Sequence, residues 1–218
     1  MSEAFENMDR MYRHQRYFYD ATRKFYLFGR DKMIARMDVQ PGENVLEVGC
    51  GTARNLVLLA KKYPRTNFFG LDASSEMLKT AQAKVDANKV AKNVHLEVAL
   101  ADDFTSAGTF SLAEAFDSIY FSYSITMIPT WRESIANALE NLKSGHKIYI
   151  VDFYDQKGLP KWFQKALQVW LKRFHVQFWN ELMPHLELLE KQGLIKLRIS
   201  EVFRRYSFIA ELTKIDQQ

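Results

Sequence analysis

The stretch Val45-Leu46-Glu47-Val48-Gly49-Cys50-Gly51-Thr52 decides how this chain is read. A short apolar run around one acid has the character of a buried strand, and two glycines end it in a turn. Residues without Cβ let the backbone bend sharply and approach a ligand more closely than any side chain permits. Gly49 and Gly51 therefore make room for a small molecule at the end of the strand. Dinucleotide-binding turns use a similar device, but they carry a third glycine for helix packing and set a pyrophosphate on the helix N-terminus. Arg54 stands at that third position here, and its long side chain fills space a pyrophosphate needs.

About twenty residues on, which is the reach of a β-α-β unit, Asn67-Phe68-Phe69-Gly70-Leu71-Asp72 reads as a second strand ending in a carboxylate. Asp72 in that place can accept charge-assisted hydrogen bonds from both hydroxyls of a ribose. A third strand-like segment, Val94 to Phe104, also ends in acids, Asp102 and Asp103. Any one of these aspartates is equally readable as a helix cap or turn acid; three strand-end features in this order are not. Glu47 one step before Val48, the Gly-Cys-Gly turn and Arg54 together resemble motif I of class I S-adenosylmethionine-dependent methyltransferases.

That resemblance implies a Rossmann-like α/β fold: a seven-stranded, mostly parallel sheet with a C-terminal antiparallel hairpin and helices on both faces. It also implies S-adenosylmethionine as cofactor. Around the first turn it assigns cofactor contacts to Glu47, Gly49, Cys50, Gly51, Thr52 and Asn55, and around the second strand end to Asp72, Ala73 and Met77. At the third, Asp102 would accept from the adenine amino group while Asp103 or Phe104 borders the ring. Ser122 and Arg23 complete the implied set.

With 218 residues and 47% hydrophobic content, the chain suits one domain with a sizeable core. A single domain over 1–218 is expected, with an N-terminal helical lid over 1–40 and a helical insertion over 157–185. No apolar N-terminal run follows a basic start, and no stretch approaches the roughly 20 apolar residues that span a bilayer; a cytoplasmic or membrane-peripheral protein is expected. Cys50 is the only cysteine, which excludes an intramolecular disulfide and a multi-cysteine zinc site. It reads either as a nucleophile or as a small residue packing behind the cofactor, and the lack of a nearby base favours packing. His14, His95, His146, His175 and His185 show no metal-ligand spacing, so no metal is expected. A net charge of +4 admits a nucleic-acid reading. The positive residues, however, are interleaved with large apolar ones, which suits an anionic bilayer surface at least as well, and no nucleic-acid partner is expected.

Strand patterns near 45–48, 67–71, 94–100, 116–121 and 147–152 alternate with helical patterns near 53–63, 75–88 and 131–142, as in a parallel sheet with helices on both faces. Residues 195–203 and 206–215 form a closing hairpin around Arg204 and Arg205. Two segments fall outside this plan and should carry acceptor specificity. Residues 8–37 mix Tyr12, Tyr17, Tyr19 and Phe25 with Arg13, Arg16, Arg23 and Arg30; helices folding over the cleft are expected. They bring Tyr19 or Arg23 to the methionine carboxylate or the acceptor, or else pack their rings on the sheet. In 157–180, Phe163, Leu167, Trp170, Leu171, Phe174 and Phe178 share one helical side, and Lys161, Lys165, Gln168, Lys172 and Arg173 gather elsewhere. Such a helix lies in a lipid headgroup region or covers the sheet with a solvated basic face.

After the fourth strand, the chain lacks the Asp/Asn-Pro-Pro-Tyr-type motif of nucleic-acid amino-methyltransferases. The runs Ser122 to Trp131, Tyr19-Asp20-Ala21-Thr22-Arg23 and Asp152-Phe153-Tyr154-Asp155 resemble the betaine-lipid N-methyltransferases. These convert diacylglycerylhomoserine to diacylglyceryl-N,N,N-trimethylhomoserine. Thr126 and Thr130 stand where that family carries serine and aspartate. The resemblance implies a lipid amine substrate, a partner enzyme that makes diacylglycerylhomoserine, and a place on the inner face of the membrane. Methyl transfer to an amine needs a proton removed before attack; Tyr19, Tyr123 and His14 are the candidate bases, although a tyrosine can instead orient the amine. Arg204 or Arg205 at the hairpin turn either pairs with the homoserine carboxylate or, as hairpin-tip arginines more often do, lies exposed to solvent. A small-molecule or quinone methyltransferase, and a non-catalytic S-adenosylmethionine-binding interaction module, are the alternatives.

Overall fold

Strand β1 (Asn44–Val48) is buried along nearly its whole length, and the computed structural model, which describes residues 27–172 and 180–216, builds the sheet around it. A short helix α1 (Arg30–Arg36) precedes it, and α2 (Arg54–Lys62), β2 (Asn67–Asp72), α3 (Ser75–Ala87), β3 (Val94–Val98) and α4 (Ser106–Phe110) follow. The second half comprises β4 (Phe116–Ser122), a 3-10 turn at Ile125–Met127, α5 (Trp131–Glu140), β5 (Leu142–Phe153), α6 (Lys161–Lys172), α7 (Leu182–Lys191), β6 (Ile195–Val202) and β7 (Ser207–Lys214).

The seven strands lie in the order β3-β2-β1-β4-β5-β7-β6. All pairings are parallel except those of β7 with β5 and β6. The expected architecture is therefore present, hairpin included. Central strands of such a sheet are covered on both faces and read as continuous apolar runs. Val45, Phe68, Tyr120 and Val151 pack on one face with Leu56 of α2, Ala81 of α3 and Leu171 of α6. Leu46, Phe69, Ile119 and Ile150 pack on the other with Trp131 and Ile135 of α5 and Leu186 of α7. The strand order reverses at β1 and β4, with β2 and β3 following β1 on one side and β5 following β4 on the other, and in open α/β sheets the crevice at the carboxyl ends of such strands takes the ligand.

Two boundaries differ from the sequence reading. β5 begins at Leu142, five residues earlier than expected, because a register shift between Phe116 and Ser118 keeps the strand paired with β4 through Gly145 (φ 75°). The helix expected over 131–142 accordingly ends at Glu140. On α6, Leu167 and Leu171 are buried in the core, and Phe163 and Trp170 pack against it, so these four residues cover the sheet, while Trp162 and Val169 are exposed. Phe174 and Phe178 lie outside the described residues, as do residues 1–26 of the lid expected over 1–40, of which the described part holds α1. Among the described residues, no helix is long and apolar enough to cross a membrane.

Candidate functional site

At the end of β1 the backbone turns through Gly49 (φ 74°) and Gly51 (φ 54°). The N–H groups of Gly49 and Cys50 both donate to the carbonyl of Leu71, at 2.9 Å each. A Cβ on Gly49 would stand 2.6 Å from the Cβ of Ser124, whose hydroxyl donates to the Val48 carbonyl at 2.8 Å. The glycine is thus required twice, by its dihedral angle and by the close passage of the loop after β4. Asp72 ties the turn to the next strand end: Oδ2 accepts from the Gly51 N–H at 2.8 Å and Oδ1 from the Ser74 N–H at 2.9 Å. Both oxygens of this carboxylate thus hold the glycine turn and the start of the next helix in one geometry.

Glu47 is a pillar beneath the turn. Its buried carboxylate accepts from Asn55 Nδ2 at 2.7 Å and from the Tyr120 hydroxyl at 3.0 Å. Burial and the adjacent Glu47 push the Tyr120 hydroxyl well above its ordinary pKa, keeping it a donor. Cys50 packs its Sγ toward Gly70, where an added Cβ would come within 2.9 Å of the sulfur. Burial, then the charges of Asp72 and Glu47, push the thiol well above its usual range. A nucleophile needs the thiolate, so packing is its role. Thr52 accepts from Lys84 Nζ at 2.9 Å, and Arg54 reaches back toward Asp31 of α1 at 3.9 Å.

The crevice retains both open surface and unsatisfied polarity. Gly49, Ala73 and Asp102 are half-buried and Asp103 is exposed. The Oγ of Ser122 and the Oδ1 of Asn55 are buried without a hydrogen-bond partner. Buried polar atoms are nearly always paired, and these two, without a partner among the described residues, sit at the end of β4 and in the first turn of α2, where the strand order reverses. A cradle without room for a Cβ, an acid at the next strand end and orphaned polar atoms between them fit a charged sulfur nucleoside. Two expected members of the set are placed differently. Phe104 does not border the crevice: its ring is fully buried against Phe116, 6.5 Å between centroids. Met77 is also buried, with its N–H bonded to the N-capping Ser74 hydroxyl at 3.3 Å, so its side chain offers little surface to a ligand.

At the neighbouring ends of β4 and β5 the backbone is strained. Tyr123 adopts φ 57°, its ring packs on Phe153, and its hydroxyl donates to the carbonyl of Phe28 at 2.5 Å. The Ser207 hydroxyl donates to the same carbonyl at 2.8 Å. Burial raises the Tyr123 pKa well above its ordinary value, so the hydroxyl is a fixed donor and the expected role as base is not available to it. His14, Tyr19 and Arg23 lie outside the described residues. Asp152, fully buried, accepts from the Thr126 N–H at 3.1 Å, the Thr126 hydroxyl at 2.9 Å and the Phe153 N–H at 2.8 Å. A serine at 126 would supply the same hydroxyl. Sequence reasoning quoted both residues in runs but gave neither a role.

The hairpin tip closes this end. Phe203, Arg204 and Arg205 take φ values of 50°, 54° and 63° in succession, a left-handed turn that costs L-residues roughly 1–2 kcal/mol each. Arg205 anchors it: Nε and Nη2 grip the carboxylate of Asp155 at 2.7 and 2.5 Å, Nη1 bonds Glu201 at 2.5 Å, and the guanidinium lies over the Tyr154 ring. Arg205 is therefore already paired with two carboxylates, which corrects its expected assignment to a substrate carboxylate; Arg204 stays exposed. Hydrogen bonding to Arg205 holds the Asp155 carboxyl below its usual range.

Residues 40–193 match the methyltransferase domain family. The chain belongs to that family. The methyltransferase domain is 27% identical over 149 residues to the O-methyltransferase rstn1 of Aspergillus nomiae, covering 68% of this chain and 61% of that protein. It is 26% identical over 141 residues to the ubiquinone/menaquinone biosynthesis C-methyltransferase UbiE of Geotalea daltonii, covering 62% and 58%. The chain thus spans about three-fifths of the length of these curated relatives. In fold, it is similar to a SAM-dependent methyltransferase from Aquifex aeolicus, with a TM-score of 0.64, 19% identity, and 91% and 96% of the two chains covered. The domain is of the S-adenosylmethionine-dependent type.

Proposed function

We propose that this methyltransferase acts on the amine of a lipid head group, converting diacylglycerylhomoserine to its trimethylated betaine in up to three steps. The observation that carries the reading is the surface at the β5 end. Phe28 and the hairpin-tip Phe203 stack and are 40% and 63% exposed, and Trp162 and Val169 of α6 are 72% and 63% exposed; Arg204 at the tip, Lys157 before α6 and Lys161 and Lys165 on it are exposed too. The hairpin tip and the start of α6 meet there, with Gly158 so close to the Arg204 carbonyl that a Cβ would stand 2.6 Å away. Exposed aromatic rings among basic side chains suit an anionic bilayer, where rings enter the headgroup region and lysines meet lipid charge. A lipid amine drawn from that bilayer would enter the crevice beside β5. The family-like runs around Ser122 and Asp152 add support.

S-adenosylmethionine, when bound, supplies an electrophilic methyl group. Gly49, Asp72, Asn55 and Ser122 would hold it, and the chain's main contribution is to position the acceptor, a gain of roughly 7–11 kcal/mol in well-oriented pairs. Of the candidate bases, Tyr19 and His14 remain for the acceptor proton. The stacked rings of Phe28 and Phe203, 5.1 Å between centroids, offer faces to a trimethylammonium product. A quinone methyltransferase is the second reading, favoured by the named activity of the UbiE relative; a bilayer-facing entrance serves a quinone equally well.

The test is mass spectrometry of mixed micelles after incubation with labelled S-adenosylmethionine and the protein. Labelled mono-, di- and trimethylated products of diacylglycerylhomoserine are expected. Transfer to a demethylmenaquinone but none to the amine selects the second reading, and no transfer to any lipid favours a non-catalytic module.

A further inference from the structure

Three residues past β5, the side chain of Gln156 is fully buried, and neither its amide nitrogen nor its amide oxygen has a hydrogen-bond partner. Its backbone is also in the left-handed region, at φ 58°. Buried amides are almost always satisfied, because an unpaired group forfeits its hydration with nothing in return. Strained backbone in a residue other than glycine persists only where surrounding contacts hold it, and such residues gather at ligand sites. Gln156 combines both penalties.

The surrounding contacts are present. The Gln156 N–H donates to the Arg205 carbonyl at 2.9 Å, and the Leu159 N–H donates to the Gln156 carbonyl at 2.9 Å. Arg205 is in turn fixed by Asp155, one residue before Gln156. The left-handed tip and the β5–α6 loop thus lock each other, and what they lock is an amide without a protein partner. A leucine or methionine would fill the same volume without an unsatisfied group, so the packing alone gives no reason for glutamine. The position lies three residues past the carboxyl end of β5 and four residues after Asp152.

We propose that Gln156 is an acceptor-recognition residue whose amide receives the polar head of the methyl acceptor. A carboxamide offers a donor and an acceptor side by side, and the complementary ligand carries an acceptor beside a donor. An amine next to a carboxylate has that pattern: the amide NH2 donates to the carboxylate at every step, and the amide oxygen accepts an N–H of the amine before the first and second transfers, whereas the dimethylamine of a third transfer has no N–H and is held through its carboxylate alone. This deepens the reading of a lipid amine acceptor and rests on it for the chemical class of the head group.

The probe is glycerylhomoserine, the head group without acyl chains, titrated onto the full chain and followed by thermal shift. Binding to wild type is expected, weakened at least tenfold in Gln156→Leu, while S-adenosylmethionine affinity stays within twofold. The unliganded Gln156→Leu protein should melt no lower than wild type, because the substitution removes an unsatisfied group. Equal head-group binding by wild type and variant, or none by either, overturns the assignment. If Gln156→Leu fails to fold by circular dichroism, Gln156→Met replaces it. The unbranched thioether keeps the length of glutamine without its donor, the same tenfold weakening is expected, and unchanged binding overturns the proposal. Head-group binding that depends on Gln156 without methylation of diacylglycerylhomoserine would leave the recognition role standing and remove the proposed reaction.

Discussion

Over the ends of β1 and β2 the turn is tied to its own β-α-β unit, with Gly51 bonded to Asp72 only 21 positions on and Ser74 bonded to the same carboxylate, while Tyr120 and Ser124 reach Glu47 and Val48 from 73 and 76 positions away. Over the ends of β4 and β5 the contacts are remote: the Phe28 carbonyl gathers Tyr123 and Ser207, 95 and 179 positions away, and Asp155 holds Arg205 across 50. The first region turns through Gly49, Gly51 and Ala53, whereas the second bends five ordinary residues, Tyr123, Gln156 and 203–205, into left-handed backbone. The ends of β4 and β5, proposed above to receive the acceptor, are thus assembled from distant parts and carry the greater strain.

Breaking the local end should have the largest effect. Gly49→Ala forces a Cβ against Ser124 and is expected to lower stability by about 2–4 kcal/mol and abolish S-adenosylmethionine binding measured by calorimetry. Pairing it with Ser124→Gly should recover part of the stability if that contact is the cause. Asp72→Ala leaves the Gly51 and Ser74 N–H groups without their acceptor, at about 1–3 kcal/mol for each one buried. Cofactor affinity should fall by about two orders of magnitude with the circular dichroism spectrum retained.

At the remote end, Arg205→Ala should cost about 1–2 kcal/mol and raise the acceptor KM while leaving cofactor affinity unchanged. Equal losses for both ligands would erase the distinction between the two regions. The same latch sets an acid limit. The folded-state pKa of Asp155 is depressed below the ordinary carboxylate value, so its contribution is complete above the unfolded value near 3.8 and disappears as pH falls through the lower, folded one. Asp155→Asn should therefore flatten the acid limb of a urea-melt pH series. The smallest effect belongs to Arg204→Gly. Its side chain is exposed and its φ is 54°, so glycine should stabilise by about 0.5–1 kcal/mol, read as a higher thermal midpoint.

The legibility of the chain follows the same division. Val45 to Thr52 and Asn67 to Asp72 announce strand, turn and acid because each feature serves contacts within a few residues or one β-α-β unit. Phe104 misled because an aromatic residue after an acid has the same local appearance whether it flanks a ligand or, as here, plugs the core against Phe116. Tyr123 misled for a related reason: its chemistry as a phenol is visible in sequence, but the carbonyl that captures its proton belongs to Phe28. On α6 the periodicity was plain, and only the packing of Leu167 and Leu171 showed which face met protein.

The residue pattern by itself determined the alternating β/α order, the glycine turn and the strand-end acids, since hydrophobic period and backbone permissiveness act over short range. Tertiary structure alone decided that Arg205 is spent on Asp155, that Asp152 holds Thr126, and that Gln156 is buried without a partner. Those outcomes depend on which distant segments meet at the carboxyl ends of β4 and β5, and burial, pairing and strain take their sign from that meeting.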